Sequence, residues 1–244
     1  MKLYDDLADW YPLLTPMADY AEEAPVYRDA LRAALGPGRH TLLELGAGAG
    51  HNAHYLADDF ALTLTDLSPA MLRHARRVCP GAELVQGDMR TLRLGRTFDA
   101  VFAHDALCYM LTEEDLRAVF RTARAHLRPG GVLLLAPDYF VENFEPVSEE
   151  GGGDEGDRAL RYLGWAWQPA GATERYVVDY AIFTREGDAA PVLHHDRHEE
   201  GLFPRAQWIA WLEAEGFWVE VRPWRHPEVD RALMLLRARW EGVG

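Results

Sequence analysis

The residues best suited to chemistry surround a glycine-rich stretch at positions 41–50, Thr-Leu-Leu-Glu-Leu-Gly-Ala-Gly-Ala-Gly. Three glycines occupy alternate positions in it: Gly46, Gly48 and Gly50. Glycine lets a backbone turn sharply and lets a ligand approach it closely. The next apolar run ends in Asp66, and an acidic side chain at a strand tip is well placed to accept hydrogen bonds from a ribose. The pattern therefore predicts a site for a nucleoside-containing cofactor.

The glycine spacing separates two kinds of cofactor. The dinucleotide fingerprint requires glycine or alanine three residues after its second glycine, and this chain has His51 there. A histidine would crowd the helix against the strand, which disfavours a nicotinamide cofactor. Glu44, two residues before the first glycine, completes a pattern that resembles motif I of the class I S-adenosylmethionine methyltransferases.

The elements that must position these residues alternate between strand and helix. Apolar runs predict strands at 41–45, 61–65, 82–86, 98–103 and 132–136, with helices near 51–57, near 69–78 and after Thr112. Ser68 before Pro69, and Thr-Glu-Glu-Asp at 112–115, are helix-start signals, whereas Arg-Pro-Gly-Gly at 128–131 predicts a turn. The alternation predicts an α/β fold with a doubly wound parallel sheet, and the resemblance implies its seven-stranded, Rossmann-like methyltransferase form.

A different pattern begins after residue 145. Residues 149–157 are acidic and glycine-rich and predict a mobile loop. Period-2 segments near 159–168, 174–185 and 190–199 predict an inserted antiparallel sheet, and a helix at 204–215 and strands at 217–222 and 232–240 follow. We therefore expect an N-terminal helical cap (1–36), a cofactor-binding domain (37–145 and 204–244) and an inserted β lid over the substrate site (146–203).

The resemblance extends over most of the chain. It rests on Asp-Leu-Ser-Pro-Ala-Met-Leu at 66–72, Gly-Asp-Met at 87–89, Phe-Asp-Ala-Val at 98–101 and Leu-Arg-Pro-Gly-Gly at 127–131. A closer likeness is to the nucleotide-deoxyaminosugar N,N-dimethyltransferases. It is carried by Asp-Tyr at 19–20 with Glu23, Glu-Asn-Phe at 142–144 with Pro146, and His-His at 194–195 with Leu-Phe at 202–203. The resemblance implies methyl transfer from S-adenosylmethionine (SAM) to a sugar amine, with S-adenosylhomocysteine as the second product.

For SAM, the resemblance implies a role for each strand end. The glycine N–H groups would meet the amino-acid carboxylate, Asp66 the ribose hydroxyls, Asp88 the adenine amine and Met89 the adenine ring. The expected cofactor contacts are Tyr11, Glu44, Gly46, Ala47, Gly48, Gly50, Asp66, Leu67, Met71, Asp88, Met89, Ala103 and His104.

Methyl transfer from a sulfonium is an in-line displacement, so the protein must mainly align the reactants and exclude water. An acceptor amine must also lose a proton. The expected catalytic residues are His104, Asp105, Tyr109 and Tyr20; the resembling family tends to have histidine where this chain has Tyr109. Further candidates are Tyr4, Tyr11 and Glu23 near the N-terminus, and Tyr139, Trp165, Trp167, His198 and Glu199 in the cover.

A metal site is the alternative interpretation of one segment. His194, Asp196 and His198 would share a face of a strand, which is a geometry that metal ligands use. The other interpretation is a polar strand face whose histidines hydrogen-bond across the sheet. The resembling family does not require a metal, and we expect none.

The composition limits the classes of partner that the protein can bind. The net charge of −14 disfavours nucleic acid and anionic membrane, and leaves small molecules, especially cationic ones. The chain lacks a long apolar run and a signal-like N-terminus, which predicts a cytoplasmic protein. We expect a monomer or a homodimer that acts on a small molecule.

Other functions stay open at this point. The motif series does not separate amine acceptors from carboxylate or hydroxyl acceptors, so an O-methyltransferase remains possible. A SAM-binding module without turnover and, despite His51, a nicotinamide enzyme are further alternatives.

Overall fold

The computed structural model describes residues 1–225 and 232–240. Its strands are β1 (His40–Leu45), β2 (Phe60–Asp66), β3 (Glu83–Gln86), β4 (Phe98–Ala103), β5 (Leu127–Leu135), β6 (Val147–Gly151), β7 (Asp154–Glu155), β8 (Arg158–Trp167), β9 (Arg175–Glu186), β10 (Val192–Gly201), β11 (Phe217–Arg225) and β12 (Ala232–Trp240). Its α-helices are α1 (Tyr11–Leu14), α2 (Ala24–Leu35), α3 (His51–Leu56), α4 (Pro69–Val78), α5 (Glu113–His126) and α6 (Arg205–Ala214). Short 3₁₀ turns are Lys2–Tyr4, Ala8–Trp10, Met17–Tyr20 and Asp105–Tyr109. None of the helices in this part of the chain is long and apolar enough to span a membrane.

The first sheet has the strand order β11-β12-β5-β4-β1-β2-β3. Strands β1 to β5 are parallel, and β12 is antiparallel to both of its neighbours. Leu43 and Leu45 pack with α5 and α6 on one face, whereas Leu42 packs with α2 and α3 on the other. Strands covered on both faces become almost wholly apolar, as β4 is. The predicted α/β fold with a parallel sheet and a separate antiparallel sheet is confirmed.

Helices α4 and α5 begin at the predicted residues. The Ser68 side chain accepts hydrogen bonds from the N–H groups of Ala70 and Met71, and the Thr112 side chain accepts one from Asp115. Each cap satisfies N–H groups that a helix start leaves without a partner. The two caps therefore fix the residues at which α4 and α5 begin.

Residues 128–131 do not form the predicted turn between α5 and a strand. They belong to β5, where Leu127 pairs with Phe98 and Val132 pairs with Ala100. Five steps along β5 thus face two steps along β4, and Gly130 has a φ of +74° in the irregular part. The turn-forming residues bulge from the ladder, and the ladder then resumes.

The second sheet has the order β10-β9-β8-β6, and β7 also pairs with β8. It is antiparallel throughout, as predicted. The prediction of a loop at 149–157 is wrong, because Glu149 pairs with Gly164 and Asp154 pairs with Ala159. Cross-strand pairing with β8 outweighs the unfavourable local composition of this segment.

The N-terminal segment packs against the second sheet. A shared core contains Leu3, Leu7, Leu13, Leu14, Leu160 and Ile182. The backbone N–H of Leu3 also donates to Asp196 Oδ2 at 2.8 Å. Burial of this apolar surface fastens the first residues of the chain to the inserted strands.

Replacing Thr112 with alanine should lower the free energy of unfolding by about 1 kcal/mol, because α5 loses its N-terminal cap. Thr173→Ala is the control, since Thr173 is exposed in the connection before β9. Urea unfolding of the two variants measures the difference. Equal unfolding midpoints would contradict a stabilising role for this cap.

Candidate functional site

A cavity of about 720 Å³ lies between the carboxyl ends of the parallel strands and the inner face of the second sheet. The loops of the first sheet contribute Glu44, Gly46, Ala47, Gly48, Ala49, Asp66, Leu67, Met71, Asp88, Met89, Arg90, His104, Asp105 and Tyr109 to its lining. The N-terminal segment contributes Tyr4, Tyr11, Asp19 and Tyr20. The connection after β5 and the second sheet contribute Asp138, Tyr139, Glu149, Tyr162, Tyr176, Tyr180 and Glu200. We call this space the central cavity.

The central cavity brings together most of the side chains singled out from the sequence, whose roles stay predictions. All four expected catalytic residues line it, and so do the expected cofactor contacts apart from Gly50 and Ala103. Gly50 lies against α4, where an added Cβ would be 3.2 Å from Ala75. Ala103 is fully buried in the core of the sheet.

The glycines of the loop after β1 meet different requirements. A Cβ on Gly46 would lie 2.3 Å from the Cβ of Ala106, so this glycine permits close packing of two loops. Gly48 has a φ of +52° and no atom within 4 Å of the position of a Cβ. Of these glycines, Gly48 therefore leaves open space that a ligand can fill.

Asp66 binds the glycine loop. Its Oδ2 accepts from the Gly48 N–H and its Oδ1 from the Ser68 N–H, both at 2.8 Å. The Gly50 N–H donates to the Ala47 carbonyl at 2.9 Å. Two of the three glycine N–H groups that we expected to meet a carboxylate are thus engaged within the protein. Asp66 is also half-buried, and burial raises its pKa although these backbone hydrogen bonds oppose the shift.

Glu44 lies at the floor of the central cavity with an exposed fraction of 3%. Its Oε2 is buried and has no hydrogen-bond partner in the protein. Burial, and then the nearby charge of Asp66, raises the pKa of Glu44 to about 8. A buried carboxyl group without a partner favours a bound cation or a hydrogen-bond donor beside it.

Asp88 is held by an arginine. Arg90 donates to both of its carboxylate oxygens and also to Asp115 at 2.9 Å. Hydrogen bonds from Arg90 hold the pKa of Asp88 below its ordinary value. The guanidinium of Arg90 is therefore already engaged by two carboxylates.

His104, immediately after β4, has partners for both ring nitrogens. Nε2 lies 2.8 Å from the Tyr27 hydroxyl, and Nδ1 lies 3.4 Å from Asn52 Nδ2, with Asp105 Oδ1 2.9 Å away. Glu23 Oε1 is 3.7 Å from Nε2, and burial raises the pKa of Glu23 to about 7 despite the opposing effect of His104. With both nitrogens engaged, the His104 ring is held in one orientation at the cavity wall.

Three rings line the side of the cavity nearest to α3. Tyr11 stacks on His51 with ring centroids 5.8 Å apart, and Tyr20 contacts the same ring edge-on at 5.0 Å. Burial lowers the pKa of His51 to about 4 and raises the pKa of Tyr11 to about 12. The rings form a neutral aromatic wall there.

Tyr109 connects the cavity wall to the second sheet. Its hydroxyl lies 2.8 Å from the hydroxyl of Tyr4 and 2.9 Å from His198 Nδ1. His198 Nε2 in turn lies 3.1 Å from Asp196 Oδ2. His198 and Asp196 are both buried.

Three candidates from the inserted sheet lie on its outer face. Trp165 is 52% exposed and contacts Trp167, and Glu199 is exposed and pairs with Arg175. Neither tryptophan nor Glu199 lines the central cavity. Successive residues of a strand point to opposite faces, so the inward carboxyl group is Glu200, and burial raises its pKa to about 7.

Other lining residues were missed from the sequence: Asp138, Glu149, Tyr162, Tyr176, Tyr180 and Glu200. The alternation of Tyr176, Val178 and Tyr180 marked an inward face that could have identified the two tyrosines. Glu149 carried no such signal, because its strand was predicted as a loop.

The histidine-rich segment of β10 uses its side chains within the sheet. His194 Nε2 lies 2.9 Å from the Thr184 hydroxyl, and Asp196 contacts both His198 and the Leu3 N–H. Across residues 1–225 and 232–240, no group of three or more His, Cys, Asp and Glu side chains is arranged to hold a metal ion.

Comparisons with known proteins bear on this architecture. The model of a methyltransferase domain matches residues 42–131. A Streptomyces venezuelae protein named dTDP-3-amino-3,4,6-trideoxy-alpha-D-glucopyranose N,N-dimethyltransferase is 35% identical over 222 residues, covering 88% of this chain and 91% of that protein. The chain belongs to the SAM-dependent methyltransferases.

Further methyltransferases are similar to this chain in sequence or in structure. A Streptomyces fradiae dTDP-3-amino-3,6-dideoxy-alpha-D-glucopyranose N,N-dimethyltransferase is 30% identical over 85% of this chain and 89% of its own length. The crystal structure of Streptomyces venezuelae DesVI superposes with a TM-score of 0.77 at 28% identity, over 90% of this chain and 91% of that one. SAM-bound CalS10, an amino pentose methyltransferase from Micromonospora echinaspora, gives 0.72 at 29% identity over 89% of each chain.

The buried Glu44 generates a pH-dependent prediction. Its pKa is about 8 in the folded protein against an ordinary value of 4.5, so the folded state keeps a proton that the unfolded chain has released. Its contribution to the free energy of unfolding therefore falls as the pH rises from about 4.5 to about 8. Without ligand, Glu44→Gln should be more stable than wild type at pH 8, and the difference should vanish near pH 4.5.

Urea unfolding across this pH range measures the difference between the two proteins. Glu22→Gln is the control, because Glu22 is exposed and its substitution should leave the pH dependence unchanged. A Glu44→Gln variant less stable than wild type at pH 8 would contradict the account.

Proposed function

We propose that this methyltransferase transfers the methyl group of SAM to the amine of a small molecule, with both bound in the central cavity. The observation that carries the proposal is the sign of the cavity's charge. Carboxyl side chains line it on every side: Asp5, Asp19, Glu44, Asp66, Asp88, Asp105, Asp138, Glu149 and Glu200. Among the described residues, Arg90 is the only arginine or lysine in the lining, and it already pairs with Asp88 and Asp115. Such a cavity favours cations over anions.

The glycine-loop side of the cavity fits SAM. Gly48 leaves room for close approach, and the Glu44 oxygen without a partner suits the positive charge that SAM carries. We propose that Asp66 and Asp88 hold the adenosine part and that Met71 and Met89 pack against it. Leu67, Ala47, Tyr11 and His104 complete the proposed contacts; Gly50 and Ala103 support the loop and the sheet.

The opposite side of the cavity fits an acceptor amine. Glu149 and Glu200 come from the second sheet, and Asp105 and Asp138 follow strands of the first. These groups would attract an ammonium ion and orient it by hydrogen bonds. The relatives named as aminosugar N,N-dimethyltransferases support an amine, and a sugar amine is the acceptor that we propose.

The reaction requires the protein mainly to align the reactants and to exclude water. Bound SAM supplies an electrophilic methyl group on a good leaving group. We propose that the N-terminal segment and the second sheet cover the site, limit the access of water and hold the reacting atoms in line. Of the expected catalytic residues, we propose that Asp105 orients the amine, that Tyr109 assists its deprotonation, and that Tyr20 and His104 support the wall around them.

This function assigns a task to each part of the chain. We propose that residues 1–36 cap the site, that residues 37–145 and 204–244 bind SAM in a doubly wound, Rossmann-like methyltransferase domain, and that residues 146–203 form the lid. Part of the second range lies outside the described residues. The net charge of −14 supports a small cationic substrate and no nucleic-acid partner, and we further propose a cytoplasmic monomer or homodimer.

Gly48→Val should weaken SAM binding at least tenfold, because the side chain would fill the open space in the loop. Gly187→Val is the matched control: Gly187 has a φ of +54°, has no atom within 4 Å of a Cβ and does not line the cavity. Both variants carry the same backbone strain. Calorimetric titration with SAM should show the loss in Gly48→Val alone, and equal affinities would remove the loop from the proposed site.

Labelled SAM and a panel of acceptors test the reaction. The panel pairs aminosugars, both dTDP-linked and phosphate-free, with sugar acids of similar size. The proposal predicts label in the amines, because the cavity carboxylates repel acids. Label in carboxylic acids alone would replace the proposal with an O-methyltransferase, and SAM binding without any turnover would favour a non-catalytic module.

A further inference from the structure

A chain of four polar side chains runs from the wall of the central cavity into the second sheet. Tyr4 and Tyr109 line the cavity, whereas His198 and Asp196 lie behind them and do not. The hydroxyls of Tyr4 and Tyr109 are 2.8 Å apart, Tyr109 Oη is 2.9 Å from His198 Nδ1, and His198 Nε2 is 3.1 Å from Asp196 Oδ2. These residues come from three parts of the sequence, because Asp196 and His198 both lie on β10, and the fold brings them together.

The hydrogen bonds between these four side chains all run in one direction, from Tyr4 towards Asp196. The Asp196 carboxylate can only accept, because hydrogen bonds from the Leu3 N–H and from His198 hold its pKa below the ordinary value although burial opposes them. His198 therefore donates its Nε2–H to Asp196, which leaves Nδ1 as an acceptor for Tyr109. Tyr109 donates to His198, and Tyr4 in turn donates to Tyr109. The Tyr4 oxygen keeps a lone pair that can accept a proton from the cavity.

We propose that Tyr4, Tyr109, His198 and Asp196 form a proton relay that deprotonates the acceptor amine. The inference rests on the proposed function. Tyr4 is the catalytic residue that touches the amine, and the other three are positioning residues that act through it.

Each proton transfer in this relay breaks one bond to hydrogen and forms another. The ammonium N–H bond breaks, and its proton bonds to Tyr4 Oη while the Tyr4 proton moves to Tyr109 Oη and the Tyr109 proton moves to His198 Nδ1. The acceptor becomes a neutral amine with the lone pair that attack on a methyl group requires. His198 becomes an imidazolium beside the Asp196 carboxylate. After the products leave, the same shifts run in reverse and release the proton to water.

Burial keeps His198 ready to accept. It lowers the pKa of His198, and Asp196 opposes this shift. The groups that face the imidazole are Asp196 on its own strand, Tyr180 on β9, Tyr109 after β4, Tyr4, and the α-amino group of Met1. The other candidate base, His104, has both nitrogens engaged by Tyr27 and Asn52.

The first test is the dependence of kcat on pH for Tyr109→Phe and His198→Gln. Each variant should lose about 10²-fold in kcat at pH 7, with little change in the KM of the amine. The loss should shrink as the pH approaches that at which the free amine deprotonates in solution, because the relay is then unnecessary. His194→Gln is the matched control, since His194 lies on the same strand as His198 but pairs with Thr184 and does not line the cavity, and its pH profile should keep the wild-type shape.

Glu23 and Glu200 also titrate near neutral pH, but both remain in every variant, so they do not account for a difference between profiles. A loss of kcat that is the same at all pH values would reduce the chain to a structural role and overturn the relay. Turnover of carboxylic acids alone would overturn both the relay and the proposed function.

The second test does not depend on activity. ¹⁵N NMR of the full-length wild-type protein should show His198 with an unprotonated Nδ1 and a protonated Nε2 at neutral pH, and Tyr109→Phe should change the Nδ1 shift. A proton on Nδ1 would reverse the direction of the chain and overturn the relay even in a protein that methylates amines.

Discussion

The site depends on one buried carboxyl group, that of Glu44, which has an oxygen without a hydrogen-bond partner in the protein. Glu44 lies at the cavity floor because it belongs to the buried second half of β1, at the centre of the sheet. Burying an unpaired charge is unfavourable, so the unliganded protein holds the proton instead. A cationic ligand reverses that preference. The unpaired carboxyl group therefore lowers the stability of the unliganded protein, a cost that binding sites commonly carry.

The two halves of the cavity come from different parts of the fold. Loops at the carboxyl ends of parallel strands provide the glycine cradle, where ligands of open α/β sheets bind. The other half depends on an apolar core that joins Leu3 and Leu7 to Leu160 and Ile182. That core brings Tyr4 to Tyr109 and covers one side of the cavity. Differences in acceptor between relatives can therefore arise in the N-terminal segment and the inserted strands without a change in the cofactor half.

Local patterns predicted the elements well, because a helix cap such as Ser68 or an alternating strand such as β9 is encoded within a few residues. They also predicted most of the cavity residues, since the carboxyl ends of parallel strands lie at the same edge of the sheet. The failures were non-local. Glu199 was preferred to Glu200 because a shift of one residue reverses the face of a strand. The strand at Glu149 exists through its pairing with β8, and the contact of Asp66 with Gly48 depends on how two loops fold together.

The central claim is that one acidic cavity holds SAM by its glycine loop and an amine beneath the second sheet. A crystal structure of the protein with SAM measures this most directly. The account predicts electron density for SAM in contact with Gly48 and Asp66, its positive charge beside Glu44, and its methyl group facing the side lined by Tyr4, Tyr109 and Glu200. SAM bound outside the cavity, or bound within it with Glu44 remote from its charged groups, would contradict the account.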